Sequence, residues 1–457
     1  MVVSRLRILI ALLVVALAGT LAAPAASPAK GHHKLPHREG GKVHKAWPAK
    51  HVRGKRAKRP RKALSRFLAK QVGPTKLKVE KPKLMAARVS SAGPLVTFLP
   101  AATSTKLRLV RSFDVPADDP AAARMTNLSW TYDSAIAAIA LISQNEKTQA
   151  EQLLDQLAAL QRTDGSIDFA YNVSDGSSLP VFNTGAIAWT GVAAAMYRST
   201  YDSNKYDALA GGTTKWLLNR RNSAGLLTGT PSATWVSTQH NIIAWYLMQI
   251  VTDRLPSGVS SSTVVSARNA LGTAIKRDLL VNVNSTQMAF NQGAGDPTRA
   301  LDAQVLGTLF LAYDGALGNN SQAGTQMSKV LSYIDSAFPV SGRSVVKSTA
   351  LTTYNNTWSA AGPFSGYRPY AAGTGPDVLS GESTAQVRYM WRAFGITPSA
   401  LDSQVNAWNA ITSGKGYGPL AADRTASTPG LEYHAWPAAA TASWELLGGS
   451  TVNRTPF

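Results

Sequence analysis

The stretch SWTYDSAIAAIALI, residues 129–142, decides the fold of this chain of 457 residues. Beyond its polar start it is apolar or small at nearly every position, which predicts a helix buried on all sides. Five similar stretches recur at intervals of roughly 50 to 80 residues, as expected of a structural repeat. They cover residues 183–197, 237–251, 300–313, 380–394 and 431–447.

Amphipathic stretches lie between these apolar ones. Residues 146–161 place Leu153, Leu154, Leu157 and Leu160 on one face, and residues 261–280 and 323–337 follow the same pattern. A helix with one apolar face packs on the outside of a helix that is apolar all round. The alternation predicts an all-α domain with six inner and about five outer helices, an (α/α)6 barrel.

Short motifs at the starts of the inner helices and in the loops between them resemble those of the six-hairpin glycosidase-like superfamily over residues 125–450. They are Thr131-Tyr132-Asp133, Asp164-Gly165-Ser166, Asn183-Thr184-Gly185, Ser237-Thr238-Gln239-His240-Asn241, Leu301-Asp302-Ala303-Gln304 and Gly381-Glu382-Ser383-Thr384-Ala385-Gln386. The resemblance implies carbohydrate chemistry by a glycosidase, a lyase or an epimerase. It also implies an acid where Gln239 stands and another near Ile243, and this chain has neither.

Three acids open inner helices and are the candidate catalytic residues: Asp133, Asp302 and Glu382. Cleavage of a glycosidic bond needs one protonated carboxyl group and one ionised carboxylate. We expect Glu382 to be the general acid and Asp302 the base or a ligand of sugar hydroxyls. The alternative is that each acid only complements the dipole at its helix N-terminus.

Aromatic, amide and imidazole side chains near the same helix starts are the candidate sugar ligands, because flat rings stack on the apolar faces of sugars and amides bind hydroxyls. The set is Trp130, Tyr132, Asp168, Trp189, Trp235, Gln239, His240, Asn241, Gln304 and His434. The long loop 340–379 is expected to wall the cleft. No metal and no cofactor is expected from this set.

The net charge of +21 belongs almost entirely to the N-terminal part. Residues 28–88 hold 20 of the 47 Lys and Arg and only two acids. We therefore expect three parts: a secretory signal at 1–27, a basic low-complexity linker at 28–95 and the barrel at 96–457. The linker suits an anionic cell-envelope polymer rather than nucleic acid.

These observations predict a secreted or envelope-associated monomer with no transmembrane helix beyond the signal. The favoured function is a glycoside hydrolase acting on a polysaccharide or oligosaccharide. A polysaccharide lyase acting on uronate polymers and a non-catalytic glycan-binding barrel stay open as alternatives. The lack of cysteine excludes disulfides, thiolate metal sites and a cysteine nucleophile.

Overall fold

The computed structural model describes residues 67–68, 106–230, 233–253, 255–256, 258–346, 362–413, 418–428 and 431–449. The predicted signal and nearly all of the predicted linker lie outside these ranges, so the domain boundaries stay predictions. Within the described part of the chain, no helix has the length and apolar character needed to cross a bilayer.

Six inner helices form a closed ring. Each packs against the next in chain order, and the last packs against the first, so the barrel is complete. The prediction of an (α/α)6 barrel is confirmed. The inner helices are α2 (Thr131–Ser143), α4 (Thr184–Tyr201), α6 (Thr238–Asp253), α8 (Leu301–Ala316), α10 (Gly381–Ala393) and α12 (Ala439–Gly449).

Five outer helices each pack on the inner helix that precedes them in the chain. They are α3 (Lys147–Leu160), α5 (Asp207–Leu218), α7 (Ser261–Asp278), α9 (Ala323–Ala337) and α11 (Ser399–Ser413), and a short helix α1 (Ala122–Met125) precedes the ring. The predicted difference between the two layers is confirmed. Every residue of α2 except Tyr132 is buried, whereas α3 buries only Ala150, Leu153, Leu154 and Leu157.

The two ends of the barrel differ. Inner helices join their outer partners through short turns, whereas long segments with antiparallel hairpins return the chain to the next inner helix. The N-termini of the inner helices, the long segments and the hairpins therefore share one end, the mouth of the barrel. The strands are β1 (Leu128–Trp130), β2 (Asp168–Asn172) and β3 (Ser178–Phe182) in one sheet, and the pairs β4 (Leu280–Asn282) with β5 (Met288–Phe290), β6 (Pro339–Arg343) with β7 (Phe364–Tyr367), and β8 (Ala426–Thr428) with β9 (Leu431–Tyr433).

A ring of backbone hydrogen bonds holds this mouth together. The first amide of five inner helices, normally an unpaired donor, donates to a carbonyl in the segment that leads to the next inner helix. The bonds, of 2.8 to 3.0 Å, join Thr184 to Gly229, Thr238 to Gln292, Leu301 to Pro369, Gly381 to Ala421 and Ala439 to Ser112. The last bond closes the ring, because Ser112 precedes the first inner helix.

A second repeated contact fixes the register of the hairpins. Gln304, the fourth residue of α8, accepts from the Phe290 amide at 2.8 Å and donates to the Phe290 carbonyl at 2.7 Å. Asn241, the fourth residue of α6, makes the same pair of bonds to Leu227 at 2.7 and 3.0 Å. Both amides are fully buried, so they anchor the chain in front of their helices.

One predicted helix boundary is wrong. The sixth inner helix begins at Ala439, not at residue 431, because Leu431–Tyr433 pairs with β8 as strand β9. Pro437 cannot donate a backbone hydrogen bond, and the helix begins just after it.

Two residues of the predicted linker, Phe67 and Leu68, are helical and belong to the buried core of the barrel. The Phe67 ring lies against Gly418, where a Cβ atom would come within 2.4 Å of it.

Replacing Gln304 with Leu tests the amide anchor. The change leaves the amide and carbonyl of Phe290 buried and unpaired, so we expect the free energy of unfolding to fall by about 2 to 4 kcal/mol. Urea denaturation measures the loss. The control Gln322→Leu, at an exposed position, is expected to change it by less than about 0.5 kcal/mol. Equal stability of the two variants would contradict the anchoring role.

Candidate active site

The three predicted acids lie at the mouth, at the starts of three inner helices. Asp133 is the third residue of α2, Asp302 the second of α8 and Glu382 the second of α10. Asp302 and Glu382 are half-buried, and Asp133 is 5% exposed. The negative charge of Asp302 acts on Glu382, and that of Glu382 acts on Asp133. Side chains separated by up to 249 positions in the sequence therefore form one electrostatic group.

Glu382 is held by a chain of hydrogen bonds. The Tyr132 hydroxyl donates to Oε1 of Glu382 at 2.6 Å, and the Trp444 indole N–H donates to the Tyr132 hydroxyl at 2.8 Å. The Gln386 amide donates to the same oxygen of Glu382 at 3.2 Å. These contacts fix the position of the carboxyl group that was predicted to be the general acid.

Glu382 and Asp302, the two half-buried acids, have different surroundings and therefore different pKa values. Burial raises the pKa of Glu382 to about 7, the bond from Tyr132 lowers it, and the charge of Asp302 raises it. Burial also raises the pKa of Asp302, but bonds from backbone amides oppose that effect, and its pKa is about 6. One of these amides, that of Ala303, donates to Oδ1 of Asp302 at 2.6 Å. Near neutral pH, Asp302 is therefore mostly ionised while much of Glu382 keeps its proton.

Asp133 is more deeply buried. Burial raises its pKa to about 8, a bond from the Ser112 hydroxyl lowers it, and the charge of Glu382 raises it. A rise from 3.8 to about 8 corresponds to about 6 kcal/mol. A helix N-terminus stabilises a negative charge by only about 1 kcal/mol. Burial therefore outweighs the helix dipole, so Asp133 is protonated at neutral pH.

The floor below these acids is aromatic. Tyr132, Trp189, Trp444 and Tyr389 pack edge to face in sequence, with ring centroids 5.3 to 5.9 Å apart. Trp189 is 1% exposed, so it supports Tyr132 and presents no face to a sugar. This corrects the prediction that Trp189 binds substrate.

Several site residues escaped the sequence reasoning. Tyr433 lies within electrostatic range of both Asp302 and Glu382, whereas Tyr370, in range of Asp302, belongs to the loop 340–379 that was expected to wall the cleft. Gln386 could have been found, because it follows Glu382 by four positions and so lies on the same helix face. Trp444 also left a signal, since it is the sixth residue of α12 as Trp189 is of α4. The wrong helix boundary at residue 431 concealed that correspondence.

Other predicted ligands have structural partners instead. The Asp168 carboxylate accepts from Arg162 at 2.6 Å and from the Ser178 hydroxyl at 2.7 Å, and it is 5% exposed. Trp130 is half-buried, with its ring 4.8 Å from that of Phe169. Both residues hold the sheet beside α2.

Asn241 and Gln304 were predicted to bind sugar, and the structure corrects this because their buried amides are used up in the anchors described above. Trp235, Gln239 and His240 differ from them. Trp235 is exposed, Gln239 is half-buried, and His240 packs beside Trp235 with ring centroids 5.6 Å apart. These three form a separate group at the start of α6.

His434 follows strand β9 and belongs to a different group of side chains from the acids. Side chains alternate along β9, and Tyr433 is the one in range of Asp302 and Glu382. His434 instead stacks on Trp436 at 3.7 Å and lies 3.3 Å from the Glu432 carboxylate. Its predicted place in the cleft is not what the structure shows.

Another buried acid with a raised pKa lies outside this group. Glu445 on α12 is 2% exposed, and burial raises its pKa to about 8. Its neighbours are Asn409 and Arg388 rather than the three acids. Among the residues that the structure describes, no three His, Asp or Glu side chains are grouped as metal ligands.

No protein-family model matches the sequence, and no curated protein matches it. Solved structures do match. A glycosidase variant in complex with glucose has a TM-score of 0.55 at 10% identity and covers 87% of this chain and 98% of its own. A wild-type glycosidase has a TM-score of 0.53 at 9% identity, with the same coverage.

An alpha-amylase from Clostridium perfringens has a TM-score of 0.50 at 10% identity and covers 86% of this chain and 96% of its own. The chain therefore has the six-hairpin, (α/α)6 barrel fold of these glycosidases, as the resemblance of its motifs predicted.

Tyr132→Phe tests the bond that holds Glu382. A hydrogen bond from a hydroxyl favours the ionised carboxylate, so its loss is expected to raise the pKa of Glu382 by about one pH unit. The carbon-13 shift of the Glu382 carboxyl group, followed during a pH titration, measures this change. The Tyr171 hydroxyl contacts Asp168 instead, so Tyr171→Phe is the control. An unchanged titration of Glu382 in Tyr132→Phe would contradict the assigned contact.

Proposed function

We propose that this protein is a carbohydrate-active enzyme, specifically a glycoside hydrolase that cleaves a polysaccharide or oligosaccharide at the mouth of the barrel. One observation carries the proposal: Asp302 and Glu382 lie at the mouth within electrostatic range of each other, and the negative charge of Asp302 helps to keep the proton on Glu382. Two carboxyl groups in different protonation states are what acid and base catalysis of glycoside cleavage requires. The fold shared with glycosidases supports the same assignment.

The proposed roles follow from access and charge. Glu382 donates a proton to the leaving oxygen as general acid, and Asp302 acts as the ionised base or nucleophile. Asp133, which is more deeply buried, stays protonated and binds the substrate through its neutral carboxyl group. Tyr132 is a positioning residue, because its hydroxyl bonds to Glu382.

The surroundings favour hydrolysis over uronate elimination. A lyase needs a base and a cation that neutralises the uronate carboxylate. Burial and the charge of Glu382 raise the pKa of Tyr132 well above its ordinary value, which makes its phenolate a costly base. No Lys or Arg among the described residues contributes to the pKa values of Asp133, Asp302 or Glu382, so these acids are not arranged around a uronate-binding cation.

We also propose that the enzyme acts outside the cytoplasm. The support is the sequence of residues 1–27, with Arg5 and Arg7 before a short apolar stretch and small residues after it. The basic residues 28–88 are proposed to bind an anionic cell-envelope polymer.

The first test replaces each reactive acid with its amide. Glu382→Gln and Asp302→Asn are each expected to lower the release of reducing ends from a hydrolysed polysaccharide by at least about 100-fold, because each removes a proton donor or acceptor. Glu445→Gln is the matched control, since Glu445 is also buried on an inner helix with a raised pKa. It is expected to keep the activity of the unchanged protein.

Near-normal activity in both site variants would show the assignment to be wrong. Formation of an unsaturated product that absorbs in the ultraviolet would show that the protein is a lyase and not a hydrolase. If the unchanged protein binds glycans but does not cleave them, it is a non-catalytic glycan-binding barrel.

The pH dependence gives a second test. Activity is expected to rise as Asp302 ionises near pH 6 and to fall as Glu382 loses its proton near pH 7. The rate constant kcat/KM therefore follows a bell with its maximum at about pH 6.5. Initial rates on one polysaccharide between pH 4 and 9 measure the profile. A rate that still increases above pH 8 would contradict the role of Glu382 as a protonated acid.

A further inference from the structure

Trp235 stands apart from the other large apolar residues at the surface. Its side chain is 49% exposed, and the other exposed large apolar residues in the described ranges are valines: Val181, Val283 and Val346. It lies just before α6, at the mouth that carries the three acids. An indole that stays this exposed loses the stabilisation that burial would give it, which suggests a use at the surface.

The indole is nevertheless held firmly. Its six-membered ring lies directly on Gly229, where a Cβ atom would come within 2.0 to 2.2 Å of three ring carbons. The Gly229 amide donates to the Trp235 carbonyl at 2.9 Å, and the Gly229 carbonyl accepts from the first amide of α4. The ring is therefore fixed to the hydrogen-bonded ring of the mouth, with part of its surface open.

His240 lies beside this indole and has an unused polar atom. The side chain is 8% exposed, and its Nδ1 has no hydrogen-bond partner among the described residues. Its Cδ2 and Nε2 edge rests on Gly185, where a Cβ atom would come within 2.3 Å, so Nδ1 lies on the ring edge turned away from α4. A buried polar atom without a partner costs about 1 to 3 kcal/mol, and a ligand hydroxyl would remove that cost.

The charge around His240 selects the kind of ligand. Burial alone lowers its pKa to about 4, with no charged group contributing. The imidazole is therefore neutral at pH 7, and no Lys or Arg among the described residues contributes to its pKa. A sugar hydroxyl can donate or accept, so it satisfies Nδ1 in either tautomer.

We propose that Trp235 and His240 form a second sugar-binding site, the Trp235 platform, which takes a neutral pyranose unit of a glycan chain. The pyranose stacks on the open face of the indole, and the His240 ring turns so that its Nδ1, which is closed to solvent in the free protein, bonds to a hydroxyl. The helix that carries the platform, α6, packs directly against α8, which carries Asp302. As far as it concerns the bond that is cleaved, this inference rests on the proposed function, and it makes the substrate a neutral chain of several sugars.

Binding, not turnover, tests the platform. The full chain carrying Glu382→Gln, which is expected not to degrade the polymer, is run in native gels containing soluble starch, mixed-linkage β-glucan, glucomannan or polygalacturonate. At least one neutral polymer is expected to retard it. Trp235→Ala is expected to weaken that binding about tenfold, whereas Trp235→Phe, which keeps a flat ring, weakens it less than about threefold.

Two controls separate this effect from others. Val283→Ala removes an exposed apolar side chain from a hairpin whose turn bonds to the outer helix α9 through Gln287, and it should bind as the parent does. Polygalacturonate is expected to retard every variant equally, because the basic residues 28–88 bind it by charge. His240→Leu, similar in size but without a ring nitrogen, is expected to weaken binding to the neutral polymer as well.

The platform is overturned if no neutral polymer binds, if Trp235→Ala binds every neutral polymer as the parent does, or if only binding of polygalacturonate depends on Trp235. The proposed function fails separately. If binding depends on Trp235 but the unchanged protein releases no reducing ends, the Trp235 platform stands and the proposed hydrolase activity is wrong. If the unchanged protein releases reducing ends but binding does not depend on Trp235, the hydrolase activity stands and the platform is wrong.

Discussion

Closure of the inner ring at Ser112 is the constraint on which the rest of the structure depends. Its carbonyl accepts from the first amide of α12, at 2.9 Å, and its hydroxyl accepts from the Trp130 amide just before α2, at 2.8 Å. One buried serine thus joins the last inner helix to the first. The same hydroxyl bonds to Asp133, so the contact that closes the barrel also fixes one of the three acids at the mouth.

A closed ring has a chemical consequence. Six helix N-termini meet at one end, and their partial positive charges favour anions there. The same closure removes water from the acids, and burial raises the pKa values of all three. The pKa of each acid depends on its burial and its hydrogen bonds. Asp133 is the most buried and has the highest pKa, whereas Asp302 accepts backbone hydrogen bonds and has the lowest. A repeat of helix hairpins therefore gives its acids different pKa values through burial, backbone hydrogen bonds and the charge of one acid on the next.

Glycines shape the other side of the mouth. Gly185 occupies the position in α4 that Glu382 occupies in α10, and the His240 ring fills the space that a side chain would need. Gly229 leaves room for the Trp235 ring in the same way. The missing side chains at these two positions make room for the His240 and Trp235 rings beside α4 and α6, whereas the three acids lie on α2, α8 and α10.

The sequence by itself determined the helices, their two layers and the three acids. Burial on all sides or on one face shows directly in the pattern of residues 129–142 and 146–161, because helix periodicity is a local property. The sequence also predicted that Asp133, Asp302 and Glu382 lie at the same end of the barrel, since each opens an inner helix and closure brings those ends together.

Only the tertiary structure decided which polar residues face the mouth. Asn241 and Gln304 resemble sugar ligands in sequence, yet they bind backbone that lies earlier in the chain. Trp189 and Trp235 are both tryptophans at the mouth, but one is buried beneath Tyr132 and the other is exposed. Hydrogen-bond partners and depth depend on which segments lie opposite each other after the ring closes, and no local pattern encodes that.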